Sequence, residues 1–389
     1  MEIFTGKTSI KHILQHNNNW QRFYDKHRHQ IRPSVVENID KLFLCRTQEL
    51  GFHKYQCPHC GEYICVPHSC KSRICSSCGK LATDHWISSS LSLFPNVSYQ
   101  HVVFTVPEEL RGLMLFNRKL LLNALFKLSS STIISWVKSK KYYLPGIAMI
   151  LHTFGRDLKF NPHIHMLVTC GGLSLNYDKW VNSFFIPEKA LKPIWRHNFI
   201  SFIRKSYKDN SLILPSHIKP VFNSILNNAY SKIWYVNFGR KLDNASFTII
   251  YIGRYTKRPC IAESRILSYD GKFVIFSYDD QIFSQTIYSK LPVEEFIARL
   301  IRHIPDKSFR QIRYAGIFAT RIRSKLIPTV NNLIENMRKS VNIFISNLKN
   351  YLFTQIPRCP KCGTEMILVG ISYNGKYIHL SETYLANPP

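Results

Sequence analysis

Of the eleven cysteines in this chain, six fall between positions 57 and 78, and they restrict the fold more than any other feature. Cys57-Pro58-His59-Cys60-Gly61 and Cys75-Ser76-Ser77-Cys78-Gly79 are two Cys-x-x-Cys-Gly units, with fourteen residues between Cys60 and Cys75. Two intervening residues let both sulfurs of a unit face one ion, and the glycine permits the tight turn beneath it. The two units predict a four-thiolate structural Zn²⁺ site built from Cys57, Cys60, Cys75 and Cys78. Cys65, His68 and Cys70 lie between them, so these three could form part of a second site, or Cys70 could replace one of the four. Cys359 and Cys362 form a third unit, which either closes a site with distant residues or makes a turn with free thiols. Four protein ligands leave no open coordination position, so zinc here would be structural and not catalytic.

Composition narrows the partner. Lys and Arg number 52 against 24 Asp and Glu, a formal charge of +28. Self-repulsion on that scale points to a polyanion, and the interleaved Tyr, Phe and Trp suit a groove that contacts phosphates and stacks bases. Hydrophobic content of 45% is that of a folded protein. The opening MEIFTGKTSIKHILQHNNNW lacks the basic-then-apolar pattern of a secretion signal, and no run of about eighteen apolar residues is visible. The expectation is a cytoplasmic, nucleoid-associated protein with reduced or metal-bound cysteines and no membrane partner.

Along the chain, residues 1–48 read as helical, with Ile10, Ile13 and Leu14 on one face and Val35, Val36, Ile39 and Leu42 recurring at helical spacing. Residues 49–90 form the cysteine module. A third region, 95–265, contains HVVFTVP, a helical stretch from Glu108 to about Lys140, and two β-like runs, 146–154 and 163–170, read as an antiparallel hairpin. It carries a mostly helical insertion at about 176–235 and ends in a helix, Phe247–Arg258, stopped by Pro259. Residues 266–389 form a basic accessory region with paired strands over 266–289 and a turn at Asn374-Gly375. The class is α+β, with a central antiparallel sheet, helices and a small zinc-binding module.

His163-Ile164-His165 places two imidazoles on one face of a predicted strand, about 7 Å apart along it, with Ile164 pointing into the core. Two neutral imidazoles so placed can converge on a divalent ion. Among sixteen histidines such a pair is weak alone, and His27-Arg28-His29 has the same spacing in a charged, helical setting. Context separates them: His152 sits on the neighbouring predicted strand as a third ligand, with Asp157 as an alternative in the connecting turn. Three ligands would leave positions open for phosphate and water. Tyr251 and Tyr255 lie four apart on one helix face among Arg254, Lys257 and Arg258, which would surround them with positive charge and contact DNA. On spacing alone, two aromatics packing a helix face is the better account in a chain with twenty tyrosines.

Several blocks together resemble the His-hydrophobe-His single-strand endonucleases, within which the chain looks like the insertion-sequence-91 type of rolling-circle transposase. They are HSCKSRICSSCG after CPHCG, HVVFTVPEEL, LHTFGRDLKFNPHIHMLVTCGG, YIGRYTKRPCIAESRI, RHIPDKSFRQIRYAGIFATR and CPKCG, in that order. The resemblance implies a nuclease domain over 95–265 with a five-stranded antiparallel sheet, the His pair on a central strand and the Tyr helix packed beneath. It implies Mg²⁺ or Mn²⁺ on His163 and His165, Tyr251 as nucleophile, Tyr255 as a second nucleophile, and Lys257 where related initiators carry a lysine. The expected activity is metal-dependent nicking and rejoining of single-stranded transposon ends and target DNA through a 5′-phosphotyrosine. A replication initiator or relaxase with the same chemistry, and a non-catalytic zinc-dependent DNA-binding regulator, are the alternatives. Gly370–Lys376 matches most of a phosphate-loop pattern, but Tyr377 stands where Ser or Thr is needed, so no nucleotide cofactor is expected and unwinding would fall to host helicase and replication factors.

Overall fold

A computed structural model describes residues 8–379 apart from 91, 183–185, 243–244, 257–258, 281–283, 335–356 and 374–375. The chain is α+β and divides into two compact units, each assembled from separated stretches. One takes residues 1–82, 259–307 and 350–389; the other takes 83–258 and 308–349. The linear division at 48, 90 and 265 differs from these units because strand pairing joins stretches remote in sequence. Ile312–Gly316 pairs with Tyr143–Phe154, and Ile367–Tyr373 pairs with Phe52–Gln56.

In the second unit a sheet runs in the order Ile312–Gly316, Tyr143–Phe154, Phe160–Ser174, Tyr99–Thr105, Val236–Leu242, every pairing antiparallel. A short strand, Trp180–Asn182, also pairs with Phe160–Ser174. Alternation decides what each face carries. Val102 and Phe104, Ile147, Met149 and Leu151, and Ile164, Met166 and Val168 all enter one apolar cluster with Leu121, Leu125, Trp195 and Phe199. Residues of opposite parity, His101, His152, His163 and His165, therefore share the other face. Each fully buried aliphatic such as Ile164 contributes about 2 kcal/mol of transfer free energy, so slipping the register by one residue would cost many such terms and expose the cluster.

The helix Arg118–Lys141 covers the apolar face with buried Leu121, Leu122, Leu125, Phe126, Ile133 and Val137. Among the described residues it is the one helix long and apolar enough to cross a membrane, although the sequence shows no unbroken apolar run of that length. Its hydropathy is explained by packing within this unit: 56% of its most apolar window is buried. The expected insertion contains the helices Glu188–Lys208 and Phe222–Ser231.

The first unit contains the helices Ile10–Gln15, Asn19–His27, Pro33–Phe43 and Val293–Ile301. Ser9 caps the first through its side chain, and Pro33 opens the third at the position where a missing N–H costs nothing. A three-stranded sheet, Gln285–Pro292, Phe273–Asp280 and Ile266–Tyr269, matches the paired strands expected over 266–289. A four-stranded sheet runs in the order Lys376–His379, Ile367–Tyr373, Phe52–Gln56, Tyr63–Pro67. Tyr373 and Lys376 face each other in its outermost pair, so the phosphate-loop-like segment forms a strand pair whose turn, Asn374-Gly375, lies outside the described residues.

Candidate histidine–tyrosine centre and cysteine clusters

The strand register brings the three expected histidines together. His152 lies directly opposite His163, and His165 is two residues further along the same face. One ring nitrogen from each of His152, His163 and His165 lies within 4.8 Å of the others. The ring of His163 is anchored through Nδ1, 2.7 Å from the Asn161 carbonyl, which leaves Nε2 directed inward. That Nε2 stands 3.1 Å from His165 Nε2. Two imidazole lone pairs cannot face each other at this distance without repulsion, so a shared proton or a cation between them is the stable arrangement. Burial pushes both His163 and His165 below the usual histidine range, with Arg111 adding to the effect at His163 and the neighbouring histidines at His165. Both are thereby held in the neutral form that ligates metal. Asp157 does not approach: it accepts from the Lys159 backbone and pairs with the Lys159 side chain in the turn.

A fourth histidine, absent from the sequence expectation, completes the cluster. His101 stands diagonally across the strand pair, with Nε2 3.0 Å from His165 Nδ1 and the two rings parallel within 4°. Its Nδ1 lies 3.5 Å from the Tyr251 hydroxyl. Burial takes His101 down to about 4. Gly239 on the adjacent strand leaves room for this ring, since a Cβ there would sit 2.9 Å from His101 Nδ1.

Both tyrosines come from the helix Ala245–Thr256. The four-residue spacing turns them to one face, with ring centroids 5.7 Å apart. Tyr255 stacks on His165 at 4.4 Å between centroids, and its backbone carbonyl accepts from His152 Nε2. The two-aromatics account thus describes part of the arrangement, but the surface these rings pack on is the histidine cluster itself. Lys257, Arg258 and the side chain of Arg254 lie outside the described residues.

The cysteines group differently from the expected quartet. Cys75 and Cys78 join Cys70 and Cys45, with Cys45 Sγ 3.6 Å from Cys78 and Cys70 Sγ 3.5 Å from Cys78. Cys57 and Cys60 join Cys359 and Cys362 instead. Cys75 immediately precedes the helix Ser76–Ser90 and Cys78 lies in its first turn, whereas Cys57 and Cys60 lie in the turn between the strands Phe52–Gln56 and Tyr63–Pro67. His68 belongs to neither group; its ring packs on His53 at 4.6 Å. Cys65 sits on a strand opposite Lys54. The Cys45 cluster fits a structural Zn²⁺. Its four sulfurs lie within 4.8 Å of one another, close to the ~3.8 Å edge of a tetrahedron with 2.3 Å Zn–S bonds, and the Cys70 and Ser72 N–H groups point at Cys45 and Cys70 sulfurs.

Residues 15–106 match a sequence family described as a transposase zinc-binding domain, and residues 146–325 match one described as "Putative transposase". The chain is 32% identical over 371 residues to the transposase for insertion sequence element IS801 of Pseudomonas savastanoi pv. phaseolicola, covering 92% of this chain and 88% of that protein. It is 27% identical over 303 residues to "Putative transposase y4qJ" of Sinorhizobium fredii (strain NBRC 101917 / NGR234), covering 75% of this chain and 76% of that one. No solved structure matches. With a helix carrying two tyrosines packed on the histidine face of the sheet, a zinc-binding region before them, and a curated relative matched over most of both lengths, the chain belongs to the IS91 family of transposases.

Proposed function

We propose that the histidine–tyrosine cluster is the centre at which this transposase nicks single-stranded transposon ends and later rejoins them. The observation that carries this reading is the meeting of three metal-competent nitrogens with the Tyr251 hydroxyl through one intervening residue, His101. His152, His163 and His165 would hold a divalent cation, which when bound polarises the scissile phosphate and offsets charge developing on its oxygens. With His165 keeping Nε2 free of hydrogen, its Nδ1–H donates to His101 Nε2. The remaining hydrogen of His101 then sits on Nδ1, facing the Tyr251 oxygen. That N–H orients the phenol oxygen and favours its deprotonated form, the stronger nucleophile.

Attack by the Tyr251 oxygen forms one O–P bond as the bond from phosphorus to the 3′ oxygen breaks. The phenol proton leaves to water, and the departing 3′ oxygen gains one, giving a 5′-phosphotyrosine and a 3′-hydroxyl. Reversal with another 3′-hydroxyl rejoins DNA without ATP. Tyr255 would take the second strand or the target, with Arg254, Lys257 and Arg258 supplying phosphate contacts and host factors supplying unwinding in the cytoplasm. The test is a denaturing gel of the protein with single-stranded oligonucleotides spanning each element end. A divalent-metal-dependent adduct lost in Tyr251→Phe supports the reading; tight binding with no adduct in any metal would replace it with a DNA-binding role alone.

A further inference from the structure

Two segments of nearly the same sequence, Cys57-Pro58-His59-Cys60-Gly61 and Cys359-Pro360-Lys361-Cys362-Gly363, fold into matching turns. In each, the glycine takes a left-handed conformation, φ +74° at Gly61 and +76° at Gly363. In each, the glycine N–H donates to the carbonyl of the first cysteine, at 3.0 Å and 2.8 Å. The first cysteine N–H in turn donates to the carbonyl five residues on, Glu62 at 2.7 Å and Thr364 at 2.8 Å. These are two copies of one ligand-presenting turn, and they face each other.

Their sulfurs meet tightly. Cys57 Sγ is 3.4 Å from Cys362, Cys60 is 3.3 Å from Cys359, and Cys362 is 3.5 Å from Cys60. A disulfide needs about 2.05 Å, and the tetrahedral edge around zinc is ~3.8 Å, so the spacing is that of four sulfurs about one ion. The pairing of Phe52–Gln56 with Ile367–Tyr373 runs beside the cluster in the same unit. Among the described residues, Cys57, Cys359 and Met366, with Tyr55 and Ile64 against them, form the apolar cluster there.

We propose that Cys57, Cys60, Cys359 and Cys362 bind a second Zn²⁺, separate from the Cys45 cluster, which clasps the strands at 367–379 onto the Phe52 strand. Half of its ligands lie outside the zinc-binding stretch at 15–106 that the family match covers. The clasp releases its metal first. Cys60 and Cys362 are exposed, whereas each cysteine of the Cys45 cluster is buried or half-buried. Loading it deprotonates the thiols, and losing it frees the 367–379 strands while the Cys45 cluster stays intact.

The experiment measures zinc per full-length chain and follows its transfer to a chromophoric chelator, with amide hydrogen exchange as second readout. Wild type is expected to hold about two zinc ions per chain and release them in two phases, the faster accompanied by loss of protection over 52–56 and 367–373. Cys359→Ser/Cys362→Ser is expected to hold about one ion and lack the fast phase. Should that variant misfold, the two-phase release from unaltered protein still decides the matter. One zinc per wild-type chain, a single release phase, or a Cys57–Cys362 or Cys60–Cys359 disulfide in the purified protein would overturn the proposal. None of these outcomes depends on nuclease activity, so failure here leaves the reading of the histidine–tyrosine centre untouched.

Discussion

His101 Nε2 lies 3.0 Å from His165 Nδ1 with the two rings nearly parallel, so a histidine on one strand fixes the ring and tautomer of a candidate metal ligand on the next. Partners of this kind change metal affinity by about 10- to 100-fold when removed. His101→Ala is expected to weaken Mn²⁺ binding by that factor and to reduce Tyr251 adduct formation at saturating metal, since it also removes the group facing the phenol. Gly239→Ala should do the same more mildly by crowding Nδ1. Mn²⁺ titration by electron paramagnetic resonance, alongside circular dichroism, separates lost affinity from lost fold; unchanged affinity in His101→Ala would remove the orienting role.

The tyrosines are expected to separate cleanly by substitution. Tyr251→Phe loses the hydroxyl facing His101 and should abolish the covalent adduct. Tyr255→Phe keeps the ring stacked on His165 and should retain first-strand nicking and Mn²⁺ affinity. Tyr255→Ala removes that stack and should weaken metal binding as well. A gel resolving nicked product from adduct, run beside the metal titration, distinguishes the three; an adduct persisting in Tyr251→Phe would move the nucleophile elsewhere.

The histidine centre was legible in the sequence because strand parity is a strict rule: His163 and His165 must share a face, and a short connection must bring His152 beside them. His101 obeys the same rule, yet nothing in HVVFTVP marks that strand as the neighbour of the His163 strand, and register across 64 positions has no local signal. The cysteines show the opposite failure. Proximity in sequence suggested pairing Cys57–Cys60 with Cys75–Cys78, whereas the Cys-Pro-x-Cys-Gly likeness of 57–61 and 359–363 was a signal already present. Cys45 follows the helix Pro33–Phe43 without any paired spacing, so only the fold places it.

Acid should destabilise the metal-free protein. The unfolded chain's histidines take up protons below about 6.5, while burial delays protonation of His101 to about 4 and lowers His163 and His165 in the same direction. Between those values the unfolded state holds more protons than the folded one, so stability is complete above 6.5 and is lost as pH falls toward 4. For His101 alone the loss is on the order of 3 kcal/mol. Urea denaturation of chelator-treated protein across this range is the check, with His101→Gln expected to flatten the slope; a slope unaltered by that substitution would assign the acid sensitivity to other groups.

Ion preference follows from the donor set. Three imidazoles converge at the centre, and among the described residues no carboxylate joins them there. Mg²⁺ favours oxygen ligands and sheds its water reluctantly, whereas Mn²⁺ accepts nitrogen more readily. Adduct formation is therefore expected at lower concentrations of Mn²⁺ than of Mg²⁺, by about tenfold or more in the half-maximal concentration. Activity should vanish with chelator and return on adding Mn²⁺ to protein whose zinc content is unchanged. Titrating each ion in the adduct assay, with zinc measured in the same samples, tests this. Equal half-maximal concentrations would mean that an oxygen ligand, from DNA or from residues not described, completes the site and sets its selectivity.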